Sequence, residues 1–196
     1  KGKFLAQWGS RGSGEGQFTR PQSVAVSQDG AVCVSDSGNH RVQIFTATGG
    51  YLNQFGKLGS GQGEFSSPQG VAVAANGTVY VVDSGNHRVQ YLGATGQYTG
   101  QWGSRGSAEG QFSEAEGIAV GADGSVYICE RTNHRLQRFA ADGRFLNQWG
   151  SFGSEPGKLN GPKGVAVGPN GAIYVADTEN HRIQYFSATG ELLGRW

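Results

Sequence analysis

Apolar residues recur along this chain in short alternating runs, each closed by a Gly-containing turn. The stretch from Gln69 to Trp102 shows the pattern. Gln69-Gly70-Val71-Ala72-Val73 reads as a short apolar strand. Asn76-Gly77 follows, a two-residue step that favours a tight hairpin because both positions tolerate positive φ. Thr78 to Asp83 is β-branched, aromatic and alternating, and Ser84-Gly85-Asn86-His87 turns the chain. Arg88 to Leu92 forms a third strand, Thr95-Gly96 a third turn, and Gln97 to Trp102 a fourth strand. Three hairpins in a row make a four-stranded antiparallel meander.

The meander repeats. Asn-His-Arg occurs at Asn39, Asn86, Asn133 and Asn180, each 47 residues after the last. An aromatic-Gly step keeps the same period at Trp8-Gly9, Phe55-Gly56, Trp102-Gly103 and Trp149-Gly150. The units are 9–55, 56–102, 103–149 and 150–196, joined by Gly-rich linkers such as Gly103 to Ala115. One meander cannot bury both of its faces, but sheets stacked radially can. The pattern therefore predicts an all-β fold, a β-propeller built of four-stranded antiparallel blades. Gly2 to Trp8 aligns with Gly190 to Trp196, so residues 1–8 read as an extra outer strand. Besides a segment cut from a longer parent, this surplus leaves two routes to closure. The chain can form a four-blade ring alone, or several chains can complete a larger ring through their terminal blades, and self-association is the expected route.

Pro-Gln-Gly-Val-Ala-Val (68–73), Val-Tyr-Val-Val-Asp (79–83), Asn-His-Arg-Val-Gln-Tyr (86–91) and the Gly-Ser-Gly-x-Gly-x-Phe linker resemble the NHL repeat, four times over. That resemblance implies a propeller. It leaves function open, because NHL propellers bind RNA or protein, sense extracellular ligands, or in a lyase branch cleave modified peptides. The family usually has six blades, whereas four repeats are present here.

Composition narrows the choice. Sixteen basic and 15 acidic side chains leave a net charge of +1, which does not generate the field that nucleic acid or an anionic membrane would need. Linker bases such as Arg11, Lys57 and Lys163 alternate with acids such as Glu15, Glu64 and Glu155, so RNA is not the expected partner. No apolar run reaches the roughly 20 residues that span a bilayer, and no membrane association is expected. The chain begins at Lys1, as an excised or processed segment would. Cys33 and Cys129 fall at different repeat positions and read as buried fillers, without a disulfide or metal pairing.

Three groups of residues carry candidate chemistry. Asp36/Arg41, Asp83/Arg88, Glu130/Arg135 and Asp177/Arg182 flank the same turn in every unit. A site is needed once and a blade corner four times, so these eight are expected to be structural. His40, His87, His134 and His181 lie on separate blades, too far apart to place donors about 2.1 Å from one zinc ion. Neither metal nor other cofactor is expected. The third unit alone breaks the pattern: Ser113-Glu114-Ala115-Glu116 stands where the others carry Pro21, Pro68 and Pro162, and Glu130-Arg131 replaces an Asp-led pair. Glu114, Glu116, Glu130 and Arg131 are thus the candidate binding residues. No nucleophile beside a base recurs or stands alone. The expectation is a non-catalytic scaffold offering its linker face to a protein, peptide or glycan, or else a recently amplified or man-made repeat array. A metal-dependent lyase or hydrolase and an RNA-binding propeller are the alternatives.

Overall fold

A computed structural model describes residues 2–196. Its blades are four antiparallel sheets, each in simple meander order. A short parallel pair, β1 (Ser10–Arg11) and β2 (Gln17–Phe18), lies in the first linker. Blade 1 is β3 (Pro21–Val26), β4 (Val32–Asp36), β5 (Arg41–Phe45) and β6 (Tyr51–Phe55). Blade 2 is β7 (Pro68–Val73), β8 (Val79–Asp83), β9 (Arg88–Leu92) and β10 (Tyr98–Trp102). Blade 3 is β11 (Ala115–Val120), β12 (Val126–Glu130), β13 (Arg135–Phe139) and β14 (Phe145–Trp149). Blade 4 is β15 (Gly164–Val167), β16 (Ile173–Asp177), β17 (Arg182–Phe186) and β18 (Leu192–Arg195). No helix among the described residues is long and apolar enough to cross a membrane.

The core lies between blades rather than within one. Strand side chains alternate between two faces, and each blade turns one face backward and one forward. Ala72, Tyr80, Val82 and Val89 of blade 2 meet Ile118, Val126, Ile128 and Phe139 of blade 3 in one buried cluster. The same arrangement joins blade 1 to blade 2 and blade 3 to blade 4. Close approach depends on glycine. A Cβ added at Gly117 would lie 2.4 Å from the Lys163 carbonyl oxygen, so only a bare backbone lets β11 reach β15.

The four blades form an arc with two open ends. β3 packs on β7, β7 on β11 and β11 on β15, and no comparable packing joins β15 to β3. Val24 and Val26 on the back face of blade 1 are 63% and 62% exposed. The described fold is thus the expected propeller of four antiparallel meanders, with its first and last blades apart.

Gly2 to Trp8 also departs from expectation. No ladder forms there, because no other strand of the described residues lies beside it. Trp8 nevertheless packs on Phe45 with ring centroids 6.5 Å apart. It covers Gly49 as Phe55 covers Gly96 one interface further on and Trp102 covers Gly143 two further on. The segment therefore holds the place of a preceding blade's outer strand without being a strand itself.

Candidate functional site

Each blade corner is built around a buried carboxylate. Asp36 is inaccessible to solvent and Arg41 is 5% exposed. Arg41 Nε donates to Asp36 at 2.9 Å, and its Nη2 donates to the carbonyls of Gly14 and Gln17 at 2.8 Å each. The other Asp36 oxygen accepts from the Thr19 amide at 2.7 Å. Asn39 donates both to Asp36 and to the Gly12 carbonyl, each at 2.8 Å. The ion pair thus fastens the linker to the second hairpin of its own blade. Asp83 with Arg88, Glu130 with Arg135 and Asp177 with Arg182 make the same contacts. Arg and Asp serve well here because the guanidinium fork reaches several acceptors at once and a buried carboxylate needs every lone pair filled.

Glu130, a candidate binding residue from its place in the third unit, is completely buried. Its oxygens accept from Arg135, Gln137, Asn133 and the Ser113 amide. The longer side chain occupies the corner that Asp fills elsewhere, so Glu130 is not available to a ligand.

Gln43, Gln90, Gln137 and Gln184, outside the candidate residues of the sequence, complete every corner, each fully buried. Gln43 donates to the Gln17 carbonyl at 2.7 Å and accepts from the Gly16 amide at 3.0 Å. The signal was legible: one glutamine recurs at period 47 between apolar strand residues.

The four histidines sit in left-handed backbone at the ends of the second-hairpin turns, with φ between 51° and 55°. His40 Nδ1 accepts from the Ser67 amide and His134 Nδ1 from the Gly161 amide, each at 3.0 Å. These two contacts join blade 1 and blade 3 each to the next linker, whereas His87 Nδ1 is buried without a hydrogen-bond partner. Among the described residues no three His, Cys, Asp or Glu side chains lie close enough to share a metal ion.

The place where unlike chemistry converges is the axial groove on the linker face, about 340 Å³ in volume. Every blade contributes the second residue of its repeat-equivalent inner segment: Gln22, Gln69, Glu116 and Lys163. Of these, Glu116 is half-buried and Lys163 exposed. Burial pushes the Glu116 carboxyl above the usual carboxylate range, against the pull of Lys163 and Arg131 and with added repulsion from Glu114. Beside the groove, Glu114 accepts from Thr132 at 2.8 Å and pairs with Arg131 at 3.4 Å on the exposed surface. The structure thus brings Glu114, Glu116 and Arg131 to one side of the groove.

A second cleft, about 550 Å³, opens between blades 1 and 2 at the opposite end. Cys33 and Ile44 line it where blade 2 carries the packed pair Tyr80 and Tyr91, ring centroids 5.9 Å apart. Smaller side chains leave the space unfilled.

The family model described as NHL repeat matches residues 18–45, 65–91, 112–139 and 159–186. The E3 ubiquitin-protein ligase TRIM32 of Homo sapiens is 46% identical over 46 residues, 24% of this chain and 7% of that protein. Protein lin-41 of Caenorhabditis elegans is 45% identical over 51 residues, 26% of this chain and 4% of that protein. Protein brain tumor of Drosophila melanogaster is 44% identical over 46 residues, again 4% of its length. These matches span less than a tenth of the relatives they meet. Among solved structures, a streptogramin B lyase superposes with a TM-score of 0.68 at 18% identity, covering 90% of this chain and 54% of that one. A virginiamycin B lyase from Staphylococcus aureus solved with quinupristin gives 0.69 at 17% identity, covering 95% and 56%. At such identities the likeness is one of fold.

Proposed function

Because the chain belongs to the NHL-repeat family, we propose that it works as a non-catalytic interaction module whose axial groove on the linker face receives a segment of a partner protein. One observation carries this reading. The corners under the groove are chemically alike in all four blades, whereas the residues that line it are two amides, a carboxylate and an ammonium. Repeated chemistry holds the blades, and divergent chemistry at one repeat position supplies specificity. Glu116 supports it further. A half-buried carboxylate raised by desolvation is costly to keep unless something compensates it, and a cationic side chain of a ligand does so.

The geometry suits an extended peptide that sets a basic group near Glu116 and an acidic one near Lys163. Several curated relatives carry names of larger proteins, including E3 ubiquitin-protein ligases, yet the matched stretch is one repeat in length. Ligase activity is not part of this proposal.

Selection of peptides from a displayed random library tests the reading. Peptides carrying both charges are expected, with affinity reduced about tenfold by Glu116→Gln, the loss of one charge-assisted contact. Selected peptides that bind Glu116→Gln and Lys163→Ala as well as the unchanged chain would overturn it. A salt-dependent shift with single-stranded RNA that exceeds peptide binding would favour the RNA-binding alternative.

A further inference from the structure

The two open ends of the arc match each other. Three internal interfaces show what each face of a blade packs against. The forward face of blade 2 presents Ala72, Tyr80, Val82 and Val89, all buried under blade 3. At the same repeat positions blade 4 presents Ala166, Tyr174, Ala176 and Ile183, none of them fully buried. The backward face of blade 3 presents Ile118, Val126, Ile128 and Phe139 to blade 2. At those positions blade 1 presents Val24, Val32, Val34 and Phe45, with Val24 open to solvent.

We propose that the forward face of blade 4 docks on the backward face of blade 1 of a second copy of this chain, head to tail. The interface is then a fourth instance of one the chain already makes three times, which is the observation that selects a second copy as occupant. Such a heterologous contact closes into a ring when the arcs complete a turn.

Two further features support the same occupant. Gly70 and Gly117 each lie against the next inner strand, with an added Cβ 2.5 Å from Glu116 O and 2.4 Å from Lys163 O. At Gly164 the same probe meets only Ala176 of its own blade, at 3.4 Å. Space for an inner strand is therefore present and empty of protein. The histidine contact is also divided between the ends. His40 and His134 accept from Ser67 and Gly161, residues with φ of 50° and 56°. The repeat equivalent of those donors for His181 is Arg20, which already has φ of 55° on the blade 1 side. Acceptor and donor are both formed, on faces that a single chain does not bring together.

Docking has one cost. Trp8 occupies the site over Gly49 and Phe45 that the repeat assigns to Trp196 of a second copy. Residues 2–8 must move aside, and they have no ladder to lose. Trp196, 68% exposed, gains cover in exchange.

Light scattering of the purified chain tests the proposal. The expected mass is a whole multiple of 20.6 kDa, at least twice that value. Val26→Glu on blade 1 and Ala166→Arg on blade 4 alter exposed positions, so each variant is expected to fold, to keep its circular dichroism, and to run at the mass of one chain. Mixed together, each variant retains the face the other lacks, and a two-chain species is expected. A mass of 20.6 kDa for the unchanged chain at about 100 µM, above ordinary working affinities, would overturn the proposal. So would an oligomer that neither variant dissociates, since its contact would lie elsewhere.

Discussion

The Tyr80 hydroxyl donates to the Ala141 carbonyl at 3.0 Å and so ties blade 2 to blade 3. One interface earlier, the tyrosine position is Cys33 and the acceptor position is Ala94, and both line the 550 Å³ cleft. Cys33→Tyr is therefore expected to stabilise the chain by about 1–2 kcal/mol, through buried aromatic area and one hydrogen bond. An upward shift of the denaturant midpoint checks it. A downward shift would mean that the cleft cannot accept the ring.

Arg135→Ala leaves the Glu130 carboxylate buried without its cation. The expected loss is about 3–5 kcal/mol, as for one partner removed from a buried pair. Arg182, at the open end, is more exposed than Arg135, so Arg182→Ala is expected to cost less. Equal losses in chemical denaturation would contradict the dependence on burial.

Glu116 is held above its ordinary value of 4.5 by burial. A raised carboxyl favours the protonated folded state, so this residue's contribution to stability is complete at low pH and declines as pH rises through the folded value. Glu116→Gln is expected to raise the melting temperature at pH 7 and to leave it unchanged near pH 4. Melting curves of both proteins at the two pH values decide it.

Cys33 is 3% exposed, and burial, with a smaller contribution from Asp29, pushes its thiol up to about 11. At pH 8 the thiolate is roughly 100-fold scarcer than for a thiol at the ordinary value. Cys129, fully buried, is raised further. Iodoacetamide at pH 8 is expected to leave both unmodified in the native chain and to label both in denaturant, as read by intact mass. For the pH dependence of stability the sign is the same as for Glu116. Stability is lost as pH climbs from about 9 toward 11. Rapid labelling of Cys33 alone would show that the cleft opens on the time scale of the reaction.

Strands, turns and blade order were legible because each rests on local chemistry. Asn76-Gly77 and its counterparts set the hairpins, and the observed Val79–Asp83 and Arg88–Leu92 fall where alternation put them. The corner pairs could be read from recurrence. Glu130 could not be placed as buried from its uniqueness alone, because a break in a repeat looks the same whether the new side chain faces water or fills a corner. The axial groove was not legible either: Gln22, Gln69, Glu116 and Lys163 are 47 residues apart, and only radial stacking brings them to one space.

The sequence by itself determined the repeat, the meander and the alternation of faces, since these depend on backbone propensity and on a period of two along each strand. Tertiary structure decided whether the ring closes. Closure depends on the angle between successive blades, and that angle is set by how side chains such as Tyr80 and Ile128 interlock across an interface. It also decided the standing of Gly2 to Trp8. The same seven-residue pattern is a paired strand beside β17, where Ile183 and Trp196 exchange backbone hydrogen bonds. At the other end it remains an unpaired segment, because a strand exists only where a neighbour offers its ladder.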